Sequence, residues 1–263
     1  MKLYTHASPS HESLLEEFLL PSAAEFASIV IGRCPQASDD QYGMPKWGEN
    51  TYEKARTMRR AVYECDELVV WADADVLFLA PAVEQLRAQL GEHDIGFQRD
   101  GRHYCTGMWI ARCNGRVRQL FDSVLGMKEH FERPGCDDQT ALNRIIHRSG
   151  VKAVFLSTSN VCTAGYQNGQ WRQWAPSEDR APTIPGTAIV FHANWCRGLE
   201  VKRRLLGQVR ALWQPPRSAG QNNEAHLDGN GDSSVRPARD NQVVRREGAT
   251  MHPGKCGADD KKH

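Results

Sequence analysis

The chain has 263 residues, of which 33 are basic and 32 acidic, giving a formal net charge of +1. That balance gives no global attraction to nucleic acid or to an anionic membrane surface. No apolar run approaches the ~20 residues that span a bilayer, and the opening Met1-Lys2-Leu3-Tyr4-Thr5-His6 lacks a signal-peptide core, so the expected location is the cytoplasm.

In chain order, Leu3 to Thr5 reads as a first strand, followed after Ser8-Pro9-Ser10 by a helix from about His11 to Leu20. Ala27 to Ile31 is a second strand, and Thr51 to Tyr63 is a helix with Arg56, Arg59 and Arg60 on its polar side. Leu68 to Ala72 is the central strand. A helix over Ala82 to Leu90, strands Asp94 to Gln98 and Met108 to Arg112, and a helix from Val117 to His130 follow. Then come a helix opened by Asp137-Asp138, strands Val151 to Leu156 and Ile189 to Phe191, and a helix from Leu199 to Trp213. Strands alternating with helices predict an α/β fold, a mostly parallel sheet flanked by helices, with ligands at the carboxyl ends of the strands. Residues 214 to 263 contain no Phe, Tyr or Trp and are expected to form a disordered tail, so the predicted domain ends at residue 213. Eight cysteines include no Cys-x-x-Cys pair and read as reduced, mostly buried thiols.

The chemistry is expected at Val69-Val70-Trp71-Ala72-Asp73-Ala74-Asp75-Val76-Leu77-Phe78, where two carboxylates interrupt an apolar run. Burying an unpaired carboxylate is costly, so the pair is expected to face a cation. Two oxygen donors at one strand end suit a hard divalent ion, Mg²⁺ or Mn²⁺, and removing Asp75 is expected to relieve repulsion and leave the fold largely intact. The bland reading is a turn whose aspartates cap backbone amides. Upstream, Lys54 lies on a helix leading to this strand, within reach of phosphates. Downstream, Asp137, Asp138 and Gln139 open a helix and suit sugar hydroxyls, although helix capping alone would account for one acid. Last, Val190-Phe191-His192-Ala193-Asn194-Trp195 ends an apolar strand with an imidazole, an amide and an indole.

In that order, these segments resemble the metal-dependent GT-A glycosyltransferases, in particular the nucleotide-diphospho-sugar transferases of the retaining kind. Thr106-Gly107-Met108-Trp109 adds to the likeness, being similar to the Asn-Thr-Gly strand that lines the family's sugar pocket, with Cys105 standing where the family often has Asn. The resemblance implies a Rossmann-like GT-A fold over residues 1 to 213 and transfer of a sugar from a nucleotide-diphosphate sugar, a UDP-sugar, to a carbohydrate or other hydroxyl acceptor. It implies Asp75 and His192 as ligands of Mn²⁺ or Mg²⁺, with Asp73 on the metal or the ribose. Thr5, His6, Lys54, Asn194 and Trp195 would face the nucleotide sugar, and Asp137, Asp138 and Gln139 the transferred sugar or the acceptor.

Two other readings compete. A haloacid-dehalogenase-like phosphatase also has an apolar strand ending in Asp-x-Asp, with Asp73 as nucleophile and Asp137-Asp138 as an acidic magnesium pair. That signature normally opens its domain, whereas here residues 1 to 72 precede it, and the hydroxyl candidate Ser157-Thr158-Ser159 follows the acidic pair. A non-catalytic sugar-nucleotide binding protein is suggested by the surface-type aromatics Tyr166, Trp171 and Trp174. The Gly- and Pro-rich residues 163 to 186 read as a lid over the donor, or else as an Ω-loop packed by its own aromatics.

Overall fold

A computed structural model describes residues 1–35, 46–167, 169–174 and 182–213. The proposed tail, 214 to 263, and residues 168 and 175–181 of the proposed lid lie outside them. Six of the expected strands form one sheet. In chain order the strands are β1 (Lys2–Ala7), β2 (Ser28–Arg33), β3 (Leu68–Ala72), β4 (Val76–Phe78), β5 (Ile95–Asp100), β6 (His103–Arg112), β7 (Ala153–Phe155), β8 (Val161–Thr163), β9 (Tyr166–Gln167), β10 (Gln170–Trp171) and β11 (Val190–His192).

The large sheet runs in the order β2-β1-β3-β6-β5-β7. Its pairings are parallel except those made by β6, which is antiparallel to both neighbours. The expected α/β architecture with a mostly parallel sheet is therefore present. A second sheet, β4-β11-β8, stands at the carboxyl end of β3. It was not expected as a separate sheet, because strands of three residues carry too little pattern to separate from the apolar run that contains them.

Helices cover both faces. Trp47–Tyr63, Gly115–Gly126 and Asp138–Ile145 bury Met58, Val62, Phe121 and Leu142 against one face, where Trp71 and Trp109, paired across β3 and β6, stack at 5.9 Å and 5°. Both indoles are 0% exposed, and burying one such side chain contributes ~2 to 3 kcal/mol. The opposite face packs on Leu15, Leu19, Leu86 and Leu90, and Leu199–Leu212 closes the second sheet with Leu205, Leu206 and Val209.

Several boundaries differ from expectation. The first helical segment, 9–22, breaks into short turns of different pitch, and the helix expected from Val117 to His130 ends at Gly126 and resumes as Lys128–Phe131. Gly126 explains the break, since glycine weakens a helix interior. Asn114 starts that helix by accepting from Val117 N at 3.0 Å. No helix is long and apolar enough to cross a membrane among the described residues.

Candidate functional site

The apolar run of the sequence is cut in two by its aspartates. β3 ends at Ala72, residues 73 to 75 turn, and the chain re-enters as β4 in the other sheet. The turn is tied at both sides: Asp73 N donates to Gly107 O at 2.8 Å, and Ala193 N donates to Asp75 O at 3.0 Å. β11 pairs His192 with Val76, which brings the imidazole beside Asp75.

One ligand atom from each of Asp73, Asp75 and His192 lies within 4.8 Å of the others. Two carboxylate oxygens and one imidazole nitrogen form a donor set suited to Mg²⁺ or Mn²⁺. Gly107 forms the floor: a Cβ there would come within 2.3 Å of His192 Cε1 and 2.9 Å of Asp73 Oδ2, so a side chain is excluded. The residues therefore fit a divalent cation.

Two buried cations also face the carboxylates. Lys54 Nζ is 2.7 Å from Asp73 Oδ2 and 3.1 Å from Asp138 Oδ2, and Lys202 Nζ is 2.6 Å from Asp75 Oδ2. Burial opposes the charge on Lys54, yet Asp138 and Asp73 outweigh it and hold the ammonium protonated. Burial likewise pushes Asp75 up, but Lys202 and His192 outweigh it and hold the carboxyl well below its usual range. This alters one expectation. Removing Asp75 would strand a buried ammonium rather than merely relieve repulsion, so stability should fall as well. Lys202 was not foreseen, because a Lys in an amphipathic helix normally reads as solvated.

Of the remaining expected residues, Asp138 is joined to the pair through Lys54, while Asp137 spends its Oδ1 on Thr140 N at 2.8 Å as a helix cap. Burial and the neighbouring Asp138 push Asp137 up to about 6. Gln139 donates to Asp100 Oδ2 at 2.7 Å, and Trp195 Nε1 donates to Asp100 Oδ1 at 2.7 Å, so one carboxylate links the two. Trp195 has a left-handed backbone (φ 59°), and its ring lies against Gly165, where a Cβ would be 2.5 Å from it. Asn194 accepts from Thr163 Oγ1, and its Nδ2 is buried without a hydrogen-bond partner. Thr5 and His6 follow Tyr4, which pairs with Trp71, so they run alongside the end of β3. Thr5 Oγ1 is buried without a partner, whereas the His6 ring turns to Thr57 Oγ1 (3.0 Å) and Cys34 Sγ (3.2 Å). Cys105 is 3% exposed, and its sulfur accepts from Gly107 N at 3.4 Å.

Trp174, expected at the surface, is 2% exposed and packs in the core with Phe191 and Leu206. The described part of the proposed lid holds the β9–β10 hairpin, with Trp171 against Tyr166 at 5.1 Å and Trp195 at 5.7 Å. Asp73 accepts from Trp71 Nε1 at Oδ1 (2.9 Å) and from Lys54 Nζ at Oδ2.

Comparison with known proteins identifies the family. The profile of the family described as nucleotide-diphospho-sugar transferase matches residues 28–206. No curated protein matches the chain by sequence. Among solved structures, a glycosyltransferase involved in glycosylation of the major capsid of PBCV-1 is similar, with TM-score 0.50 and 10% identity over 77% of this chain and 98% of that one. It shares the fold. Galactosyltransferase LgtC, solved in complex with donor and acceptor sugar analogs, matches at TM-score 0.49 and 11% identity over 82% of this chain and 98% of its own. Glycosyltransferase GlyE of Streptococcus pneumoniae TIGR4 matches at TM-score 0.41 and 14% identity over 60% of this chain, which spans 46% of that protein's length.

Proposed function

Because the chain belongs to the nucleotide-diphospho-sugar transferase family, and is thus a glycosyltransferase, we propose that its Asp73, Asp75 and His192 bind the donor diphosphate through Mn²⁺ or Mg²⁺. The observation that carries this reading is the convergence of the three ligand atoms within 4.8 Å, between two buried ammonium groups. A bound divalent cation supplies positive charge for the diphosphate oxygens that become negative as the sugar departs.

The chain's own residues supply the rest. Lys54 and Lys202, which face Asp73 and Asp75, would turn to the phosphates of the donor with a cation bound, remaining charged throughout. Asp138 holds Lys54 from its far side and, with Gln139, receives the hydroxyls of the transferred sugar. Asn194 Nδ2 and Thr5 Oγ1, buried donors without partners, supply further hydrogen bonds to the nucleotide sugar. Trp195, fixed through Asp100 to Gln139, places an indole beside the sugar and excludes water.

The finer reading is a UDP-sugar donor, a hydroxyl acceptor and retention of configuration. Retention is supported by the pattern Asp138-Gln139-Thr140-Ala141-Leu142-Asn143, which resembles that of the family's retaining members. A thermal-shift screen of nucleotide sugars with and without Mn²⁺ tests the donor and the ion together. A UDP-sugar that raises the Tm only when Mn²⁺ is present is the expected result, and shifts indifferent to the ion would contradict it.

A further inference from the structure

Gln98 lies on β5 after Ile95, Gly96 and Phe97 and is 0% exposed. An amide buried in such company is costly unless its ends are paired. Nε2 donates to the Cys162 carbonyl at 3.0 Å, and Oε1 lies 2.6 Å from His192 Nδ1. A carbonyl oxygen can only accept, so the amide nitrogen must face Cys162 and the amide oxygen must face the ring. That oxygen can also only accept, so Nδ1 carries the hydrogen. The other ring nitrogen, Nε2, is directed at the carboxylates, 3.1 Å from Asp75 Oδ1, which also only accepts; without a cation Nε2 therefore carries a hydrogen as well, and a bound cation would take that hydrogen's place.

The backbone brings Gln98 there through an irregularity. The β5–β6 register runs Ile95↔Ala111, Gly96↔Ile110, Phe97↔Trp109, then jumps to Gln98↔Cys105. Thr106, Gly107 and Met108 are left over on β6, and this bulge is what carries Gly107 to Asp73 N and beneath the imidazole. Bulges re-aim side chains beside active sites. Cys162 in turn belongs to β8, paired with β11 through Phe191↔Cys162, so the amide spans from the large sheet to the small one that carries His192.

We infer that Gln98 is a positioning residue: by accepting from Nδ1–H while anchored on the Cys162 carbonyl, it fixes the His192 ring so that Nε2 is presented with Asp73 and Asp75 to a divalent cation. Outer partners of this kind set the tautomer and orientation of a ligating histidine. The inference rests on the cation reading above, so its test has an arm that needs no cation. Long-range proton to nitrogen NMR of the histidine rings in metal-free, full-length protein, with His192 assigned by its disappearance in the His192→Asn protein, reads which nitrogen bears the hydrogen. The expected result is hydrogen on Nδ1 in the wild type. In Gln98→Leu and Gln98→Met, which keep bulk but offer no comparable acceptor, that preference is lost and Mn²⁺ affinity by calorimetry falls about 10- to 100-fold. A purely structural Gln98 would lower the Tm of both variants without moving either readout. A wild-type ring with no hydrogen on Nδ1, or folded variants that keep both the Nδ1 hydrogen and the Mn²⁺ affinity, would overturn the inference. Should neither variant fold, the wild-type spectrum decides alone. A wild type that binds no Mn²⁺ contradicts the cation reading instead, and the ring spectrum still decides the role of Gln98.

Discussion

Asp94 and Asp75 each immediately precede a strand and are 2% and 4% exposed, yet they are held by different kinds of group. Asp94 accepts from Arg116 Nε (2.9 Å) and Nη2 (2.8 Å), from Asn114 Nδ2 (2.7 Å) and from Lys152 N (2.9 Å). Its donors come from the helix start and strand it pins together, and the Arg116 hydrogen bonds outweigh burial to lower it to about 2. Asp75 instead meets a flexible ammonium and an imidazole, with a second carboxylate, Asp73, alongside. A buried carboxylate saturated by fixed donors is part of the frame. One balanced by groups that can change partners is equipped to exchange them for a ligand.

The largest expected effect falls on the second cluster. Asp75→Ala should reduce sugar transfer by at least about a thousandfold, because it removes a ligand for charge that develops in the transition state. It should also lower the Tm by stranding Lys202. The double variant Asp75→Ala/Lys202→Met should recover the Tm without recovering activity, which chromatographic product assays and calorimetry would separate. Recovery of both would place Asp75 with the frame.

Asp94→Ala should behave in the opposite way. Removing the acceptor of these four hydrogen bonds, with Arg116 half-exposed and free to return to water, costs about 2 to 3 kcal/mol, seen in urea unfolding, while turnover per folded molecule stays near the wild-type value. Its pH dependence follows from the sign of the shift. The folded pKa lies below the unfolded one, so this stability is present above about pH 4 and is lost as the pH falls towards 2. Wild type and Asp94→Asn should therefore converge in acid. A gap that persists there would mean that the charge of Asp94 is not what matters.

Asp137 gives a smaller effect of reversed sign. Its folded pKa, about 6, lies above the unfolded value, so its contribution is full below about pH 4 and is lost as the pH rises through 6. Asn also caps helices well. Stability of the wild type should thus drop relative to Asp137→Asn between about pH 4 and pH 7, by up to about 2 kcal/mol. Parallel profiles for the two proteins would show that the carboxyl is not strained by burial.

Much of this was legible in the chain itself. β1, β2 and β3 announced themselves as apolar runs with clear ends, and Asp73, Asp75 and His192 stood out because charge and imidazole interrupt such runs. Lys54 was placed at the site by the helix that leads into β3. Gln98 was not, although an amide after Ile95-Gly96-Phe97 was a visible signal, because its role depends on where the β6 bulge falls and on a partner 94 positions away. Lys202 was hidden by a helix whose other cations, such as Arg203 and Arg210, face outward to Glu17. Trp174 looked like a surface aromatic because Arg172 and Gln173 precede it, and only the tertiary fold packs it with Phe191 and Leu206.

Titration calorimetry of UDP, with and without Mn²⁺, into the wild type and into Asp75→Asn tests the central claim most directly. A cation-bridged donor site predicts UDP binding to the wild type that strengthens by at least about tenfold with Mn²⁺, and no such gain in Asp75→Asn. UDP binding of equal strength with and without the ion, or an equal gain in Asp75→Asn, would contradict it.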